Sequence, residues 1–114
     1  MEKGNGFYIE RDNYMKTLNV YSEYINDSSV GSIKENISNA KDDNKSKVLD
    51  HLKNGKILAA IVGTAKDVFT NDVINGEWVL MTDGIYEWSS DIVYYYEKYN
   101  LILPTDFVNY AIEN

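Results

Sequence analysis

The chain has 114 residues, a net charge of −7 and 44% hydrophobic residues, which suits one globular domain with a single core. This acidity, with Arg11 as the only arginine, argues against nucleic-acid binding, because phosphate contacts need clustered basic side chains. The lack of cysteine excludes disulfide bonds and thiol nucleophiles. No apolar stretch resembles a secretory signal or a membrane span, so we expect a cytoplasmic protein without membrane contacts.

The amino-terminal part, about residues 12–54, has the apolar spacing of helices. Two stripes that recur every three or four positions predict two helices: Tyr14, Leu18, Tyr21 and Ile25, then Val30, Ile33, Ile37 and Ala40. Ser32 and Glu35 have the form of a capping box. A third stripe predicts a short helix that ends at Asn54-Gly55: Val48, Leu49 and Leu52.

The remaining part, about residues 56–113, begins with strand patterns. The apolar run Lys56–Val62 predicts a strand covered on both faces. Glu77–Met81 and Ile85–Trp88 predict two more strands, and the Asp83-Gly84 turn between them is typical of a hairpin. We therefore expect a three- or four-stranded antiparallel sheet.

A tyrosine-rich helix is predicted after the hairpin, at about residues 90–100. Its spacing places one set of side chains toward the sheet: Ile92, Tyr95, Tyr96 and Tyr99. It places another set toward solvent: Asp91, Tyr94, Glu97 and Lys98. A short helix follows Pro104. The whole pattern predicts a single α+β domain over residues 1–114, with the helices packed on the sheet.

Charge is unevenly distributed along the chain. Residues 1–57 carry nine acidic and nine basic side chains, whereas residues 58–114 carry nine acidic and two basic ones. The second half also holds both tryptophans and six of the ten tyrosines. Acidic surfaces with aromatic side chains suit a basic protein partner. The candidate partner-binding residues are four of these acids and the one outward aromatic of this half: Asp83, Glu87, Asp91, Tyr94 and Glu97.

Catalytic and metal-binding patterns are weak. The only histidine, His51, follows Asp50, but neighbouring side chains on a helix point about 100° apart. Carboxylate pairs such as Asp42-Asp43 and Asp67/Asp72 lack the spacing of a calcium-binding loop, so no metal is predicted. No segment has a phosphate-binding or dinucleotide-binding glycine pattern, so no cofactor is predicted. We expect a protein that is not an enzyme. A small enzyme that uses His51, and a self-associating subunit with exposed aromatics, remain alternatives.

The string Thr82–Asp91 followed by Tyr94–Tyr99, Leu103-Pro104 and Phe107 is similar to small bacterial cytoplasmic immunity proteins. These proteins accompany contact-dependent or other polymorphic toxins, and the similarity covers about residues 58–107. The resemblance implies a toxin inhibitor, and the acidic excess of residues 58–114 predicts that it occludes a cationic toxin domain, for example a nuclease, with carboxylates in place of phosphate. Such a protein is expected to be a monomer or a homodimer when isolated.

Overall fold

A computed structural model of the chain describes residues 15–114, and this part is an α+β fold, as predicted. Within it, four strands form one sheet: β1 (Lys16–Thr17), β2 (Lys56–Ala60), β3 (Val79–Thr82) and β4 (Tyr86–Ser89). Three α-helices accompany them: α1 (Lys45–Lys53), α2 (Ser90–Tyr99) and α3 (Thr105–Glu113). None of these helices combines the length and the apolar character that crossing a bilayer would require.

The sheet is mixed, so the prediction of a purely antiparallel sheet is wrong. Its strand order is β1-β4-β3-β2, in which β2, β3 and β4 form the expected antiparallel meander. β1 instead runs parallel to β4, with Lys16 opposite Tyr86. The meander leaves the outer edge of β4 open, and backbone amides of the amino-terminal segment bond to it. The Lys16 amide donates to the Ile85 carbonyl at 3.0 Å.

The two helices predicted before residue 41 are not found in the described residues. After β1, residues 18–44 form turns, one 3-10 helix, Ile33–Glu35, and an isolated bridge from Ile37 to Leu101, while Tyr14 lies outside the described part. A single helical bond joins the Ile25 amide to the Tyr21 carbonyl at 3.1 Å and is not continued. The Asp27 side chain instead accepts the Ser29 amide at 2.9 Å, a local bond that favours turns over helix.

The hairpin turn between β3 and β4 forms where Asp83-Gly84 predicted it. Oδ1 of Asp83 accepts the backbone amides of Ile85 at 2.9 Å and Tyr86 at 2.7 Å. Gly84 has a φ of 101°, which a side chain would strain. The turn is therefore specified by local chemistry, and it sets the pairing of Met81 with Trp88.

The core lies between the central strands and the helices. Trp88 is fully buried at its centre and contacts Phe107 with a ring-centroid distance of 5.8 Å. Gly55 lies so close to this indole that a Cβ would stand 2.7 Å from its Cζ2 atom. The helix α2 contacts β3 and β4, and α1 packs against α2 and α3.

The strand β2 departs most from its prediction, because all five of its residues are exposed. Ile57 is 62% exposed, and Val62 just beyond the strand is 96% exposed. The strand forms the outer edge of the described sheet beside β3, whereas α2 packs mainly on β3 and β4. The expectation of a strand covered on both faces is therefore wrong.

Candidate functional site

A cleft of about 230 Å³ lies between α2 and the segment 74–78 that leads into β3. Three of the five predicted partner-binding residues line one wall: Asp91, Tyr94 and Glu97. Glu77 and Trp78 line the opposite wall. We call the site formed by these five residues the acidic-aromatic cleft.

Ser90 holds the two walls of this cleft together. Its hydroxyl donates to the Glu77 carbonyl at 3.1 Å and accepts the Val79 amide at 3.0 Å. Ser90 is the first residue of α2, so these bonds tie the start of the helix to the segment that enters β3. The positions of Glu77 and Trp78 relative to α2 are thereby fixed.

Asp91 is buried at the base of the cleft, with 6% exposure, and not on the solvent face predicted from helical spacing. Its two oxygens accept bonds from the Tyr24 hydroxyl at 2.6 Å and from Nε1 of Trp78 at 3.1 Å. These donors compensate the carboxylate for lost water. Burial, and then the Asp91 charge, raise the pKa of Tyr24, which therefore stays a neutral donor.

Tyr94 is half-buried and hydrogen-bonded, and not open on the solvent face predicted from helical spacing. Its hydroxyl donates to Oδ2 of Asp67 at 2.6 Å, and Tyr99 donates to the same atom at 2.6 Å. The ammonium group of Lys98 donates to the Tyr94 oxygen at 3.2 Å. The ring of Tyr94 is consequently held in place as a wall of the cleft.

Asp67 anchors the loop that covers this side of α2. Its side chain is buried, and its second oxygen accepts the amides of Phe69 at 2.7 Å and Thr70 at 3.2 Å. Burial alone would raise the pKa of Asp67, but hydrogen bonds from Tyr94, Tyr99 and these amides outweigh it and lower the pKa to about 2. No local sequence pattern indicates that this acid lies in the interior.

The cleft has the charge expected for a cationic ligand. Its lining carries the carboxylates of Glu77, Asp91 and Glu97, and none of residues 15–114 adds a lysine or arginine to that lining. Glu97 is exposed and forms an ion pair with Lys53 at 3.1 Å outside the cleft. An indole ring attracts a cation placed over its face, which Trp78 offers to a ligand, whereas Lys98 Nζ already lies 5.4 Å from the centroid of the Tyr94 ring. The arrangement therefore suits one lysine or arginine side chain of a partner.

The other two candidate residues, Asp83 and Glu87, lie at the hairpin end of the sheet and not at the cleft. Oδ2 of Asp83 contacts Nε2 of His51 at 2.7 Å, and its side chain is only 8% exposed. Glu87 is half-buried on β4, opposite Thr82 on one side and Thr17 on the other. The structure thus divides the five predicted residues between two ends of the sheet.

The His51-Asp83 pair is the arrangement that comes nearest to catalytic chemistry. The imidazole packs between aromatic rings, at centroid distances of 5.7 Å from both Phe107 and Tyr110. A general base acts on a nearby hydroxyl, thiol or water. The Thr82 hydroxyl beside this pair donates to the Tyr86 carbonyl at 2.7 Å. The contacts of His51 within residues 15–114 therefore link α1 to the hairpin.

Metal chemistry receives no support from the part of the chain from residue 15 onward, where no group of three or more His, Asp or Glu side chains is placed to hold an ion. Comparison of the chain with protein-family models, with curated proteins and with solved structures gives no match.

Proposed function

We propose that this chain is a non-enzymatic binding protein that holds a basic protein partner at the acidic-aromatic cleft. In its most concrete form it is a bacterial, cytoplasmic immunity protein that occludes a cationic toxin domain, for example a nuclease. The observation that carries the proposal is the cleft itself. Three carboxylates and two aromatic rings line it, and residues 15–114 contribute no basic side chain to that lining.

Preorganisation favours binding at this cleft. Asp91 is held by Tyr24 and Trp78, and Tyr94 is held by Asp67, so these side chains lose little freedom when a partner arrives. Glu77 and Glu97 are exposed at the rim, where charge mainly accelerates the encounter with a basic surface. The held side chains at the base of the cleft therefore contribute mainly to affinity, and the rim glutamates contribute mainly to the association rate.

Occlusion is the mechanism that follows from this charge pattern. A nuclease binds phosphate with a basic groove. A carboxylate surface carries the same negative sign of charge as phosphate, so it can bind in that groove. A protein that fills the groove keeps the nucleic acid out without any chemical step. The acidic excess of residues 58–114 strengthens the long-range attraction at low ionic strength.

The test uses the basic protein domain encoded beside the gene of this chain, measured by titration calorimetry at low and high salt. We expect Glu97→Lys to weaken binding at least tenfold, because it reverses a charge at the rim of the cleft. Glu113→Lys is the matched control, since it reverses an exposed glutamate outside the cleft. Equal affinity of wild type and Glu97→Lys, with no salt dependence, would exclude this mechanism.

An enzyme that uses His51 remains the second candidate, because the contact of His51 with Asp83 is one that orients a general base. This candidate requires that His51→Ala abolish an activity while Glu97→Lys preserves it. The cleft proposal requires the opposite pattern in a binding assay. One pair of variants therefore separates the two functions.

A further inference from the structure

The exposed edge strand β2 ends beside the acidic-aromatic cleft. The Ile61 amide, directly after β2, donates to the Trp78 carbonyl at 2.8 Å. The chain then turns at Gly63, where a Cβ would stand 3.5 Å from the Trp78 ring. The open edge and the cleft are thus neighbouring parts of one surface.

Within residues 15–114, no strand pairs with the outward-facing backbone groups of β2 along this edge. Because the Ile61 amide points toward β3, the alternation of an extended strand points the Ala60 amide and carbonyl away from it. Edge strands with free backbone groups accept a further strand. Uncharged side chains flank these groups, with Ile57 at 62%, Leu58 at 41% and Val62 at 96% exposure.

The sequence of β2 itself suits a strand that pairs with this edge next to the carboxylates of the cleft. A strand added antiparallel to β2 starts at the cleft end, so a basic residue at its amino end enters the neighbourhood of the carboxylates. β2 itself starts with Lys56, followed by the uncharged run 57–65. A second copy, related by a twofold axis, places each Lys56 beside residues 62–64 of the other copy and near Glu77.

We propose that two copies of the chain associate through antiparallel pairing of their β2 strands, with Lys56 of each copy facing the cleft of the other. The charge complementarity between Lys56 and the cleft favours a second copy as the occupant of this edge. No like charges meet along the paired strands, because residues 57–65 are uncharged. The contact is small, so the dimer is weak and forms in a concentration-dependent manner.

This inference goes beyond the proposed function and gives it a consequence. A second copy at the edge brings its Lys56 toward Glu77, a rim carboxylate that the basic partner would also use. Partner and second copy therefore compete, and the free protein keeps its apolar edge covered until a partner displaces the other copy.

Sedimentation equilibrium over a range of concentrations tests the pairing. We expect a reversible dimer for the wild type and a monomer for Val62→Lys and for Ala60→Pro, which removes an outward amide while the bond from Ile61 to Trp78 remains. Ile102→Lys is the matched control, because Ile102 is 51% exposed outside β2. Circular dichroism confirms that each variant is folded. A monomeric wild type, or a dimer that survives Val62→Lys, would overturn the proposal.

A charge exchange tests the contact between the copies. Lys56→Glu and Glu77→Lys should each weaken the dimer at least tenfold, and an equimolar mixture of the two single variants should associate again. Failure of that mixture to associate would refute the assigned pairing. These measurements need no toxin partner, so a failed dimer and a failed partner interaction are distinguishable. A dimer also remains detectable if no basic protein binds the cleft.

Discussion

The Tyr94 hydroxyl donates a hydrogen bond of 2.6 Å to the buried carboxylate of Asp67. This bond joins α2 to the loop that follows β2, and Tyr99 makes a second bond of 2.6 Å to the same oxygen. Hydrogen bonds to an ionised group are stronger than those between neutral groups. Asp67 therefore stabilises the loop and at the same time fixes an aromatic wall of the cleft.

We expect Asp67→Ala to lower the free energy of unfolding by about 3 kcal/mol at pH 7, because two tyrosine hydroxyls and two amides lose their acceptor. Urea denaturation followed by circular dichroism measures this change. The control is Asp72→Ala, an exposed acid of the same loop, with an expected effect within about 0.5 kcal/mol. Equal losses in the two variants would contradict the role of Asp67.

The pH dependence of stability provides a second test of Asp67. Its folded-state pKa is lowered from 3.8 to about 2, so its ionised form stabilises the fold fully above about pH 4. This contribution is lost as the pH falls from about 4 toward 2. We expect the Tm of the wild type to fall more steeply over that range than the Tm of Asp67→Asn. Parallel curves would show that the carboxylate is not coupled to folding.

Gly55→Ala should destabilise the protein by about 1–3 kcal/mol, because the new methyl group overlaps the Trp88 ring and stands 3.2 Å from the Thr82 carbonyl. Thermal unfolding measures the effect. In Gly31→Ala, the methyl group meets the side-chain ends of Asn36 at 2.8 Å and Glu35 at 3.5 Å, which can shift more easily than a buried indole, and we expect a smaller loss. A larger loss at Gly31 than at Gly55 would contradict the packing described for Trp88.

A double-mutant cycle on His51 and Asp83 should give a coupling energy of about 1 kcal/mol or more, because the pair is largely buried and separated by 2.7 Å. The exposed pair Lys53-Glu97 serves as the comparison, with an expected coupling below about 1 kcal/mol. Both cycles use urea denaturation of the single and double alanine variants. A weaker coupling for His51-Asp83 than for Lys53-Glu97 would disprove a stabilising link between α1 and the hairpin.

Local chemistry explains which parts of the fold the sequence predicted. The Asp83-Gly84 hairpin and the end of α1 before Asn54-Gly55 depend on neighbouring residues, and both form as expected. The pairing of Lys16 with Tyr86 joins residues far apart in the chain, and no local pattern indicates it. Leu18 and Tyr21 have helical spacing and are buried, but turns place them in the core.

The candidate site was predicted in part for the same reason. Helical spacing correctly places Asp91, Tyr94 and Glu97 together, because they belong to one helix. The spacing cannot show that the loop carrying Asp67 covers Tyr94, or that Trp78 donates to Asp91. Glu77 lies in the cleft because the fold brings the segment 74–78 next to α2, and no sequence pattern around Glu77 indicates this contact.

The two tryptophans lie in different surroundings, so the intrinsic fluorescence of the protein can report on the cleft. Trp88 is fully buried in the core, whereas Trp78 is half-buried in the wall of the cleft. Acrylamide should therefore quench the emission of Trp78 and leave that of Trp88 almost unchanged while the protein is folded. A molecule that fills the cleft shields Trp78 from the quencher, so binding can be followed without any added label.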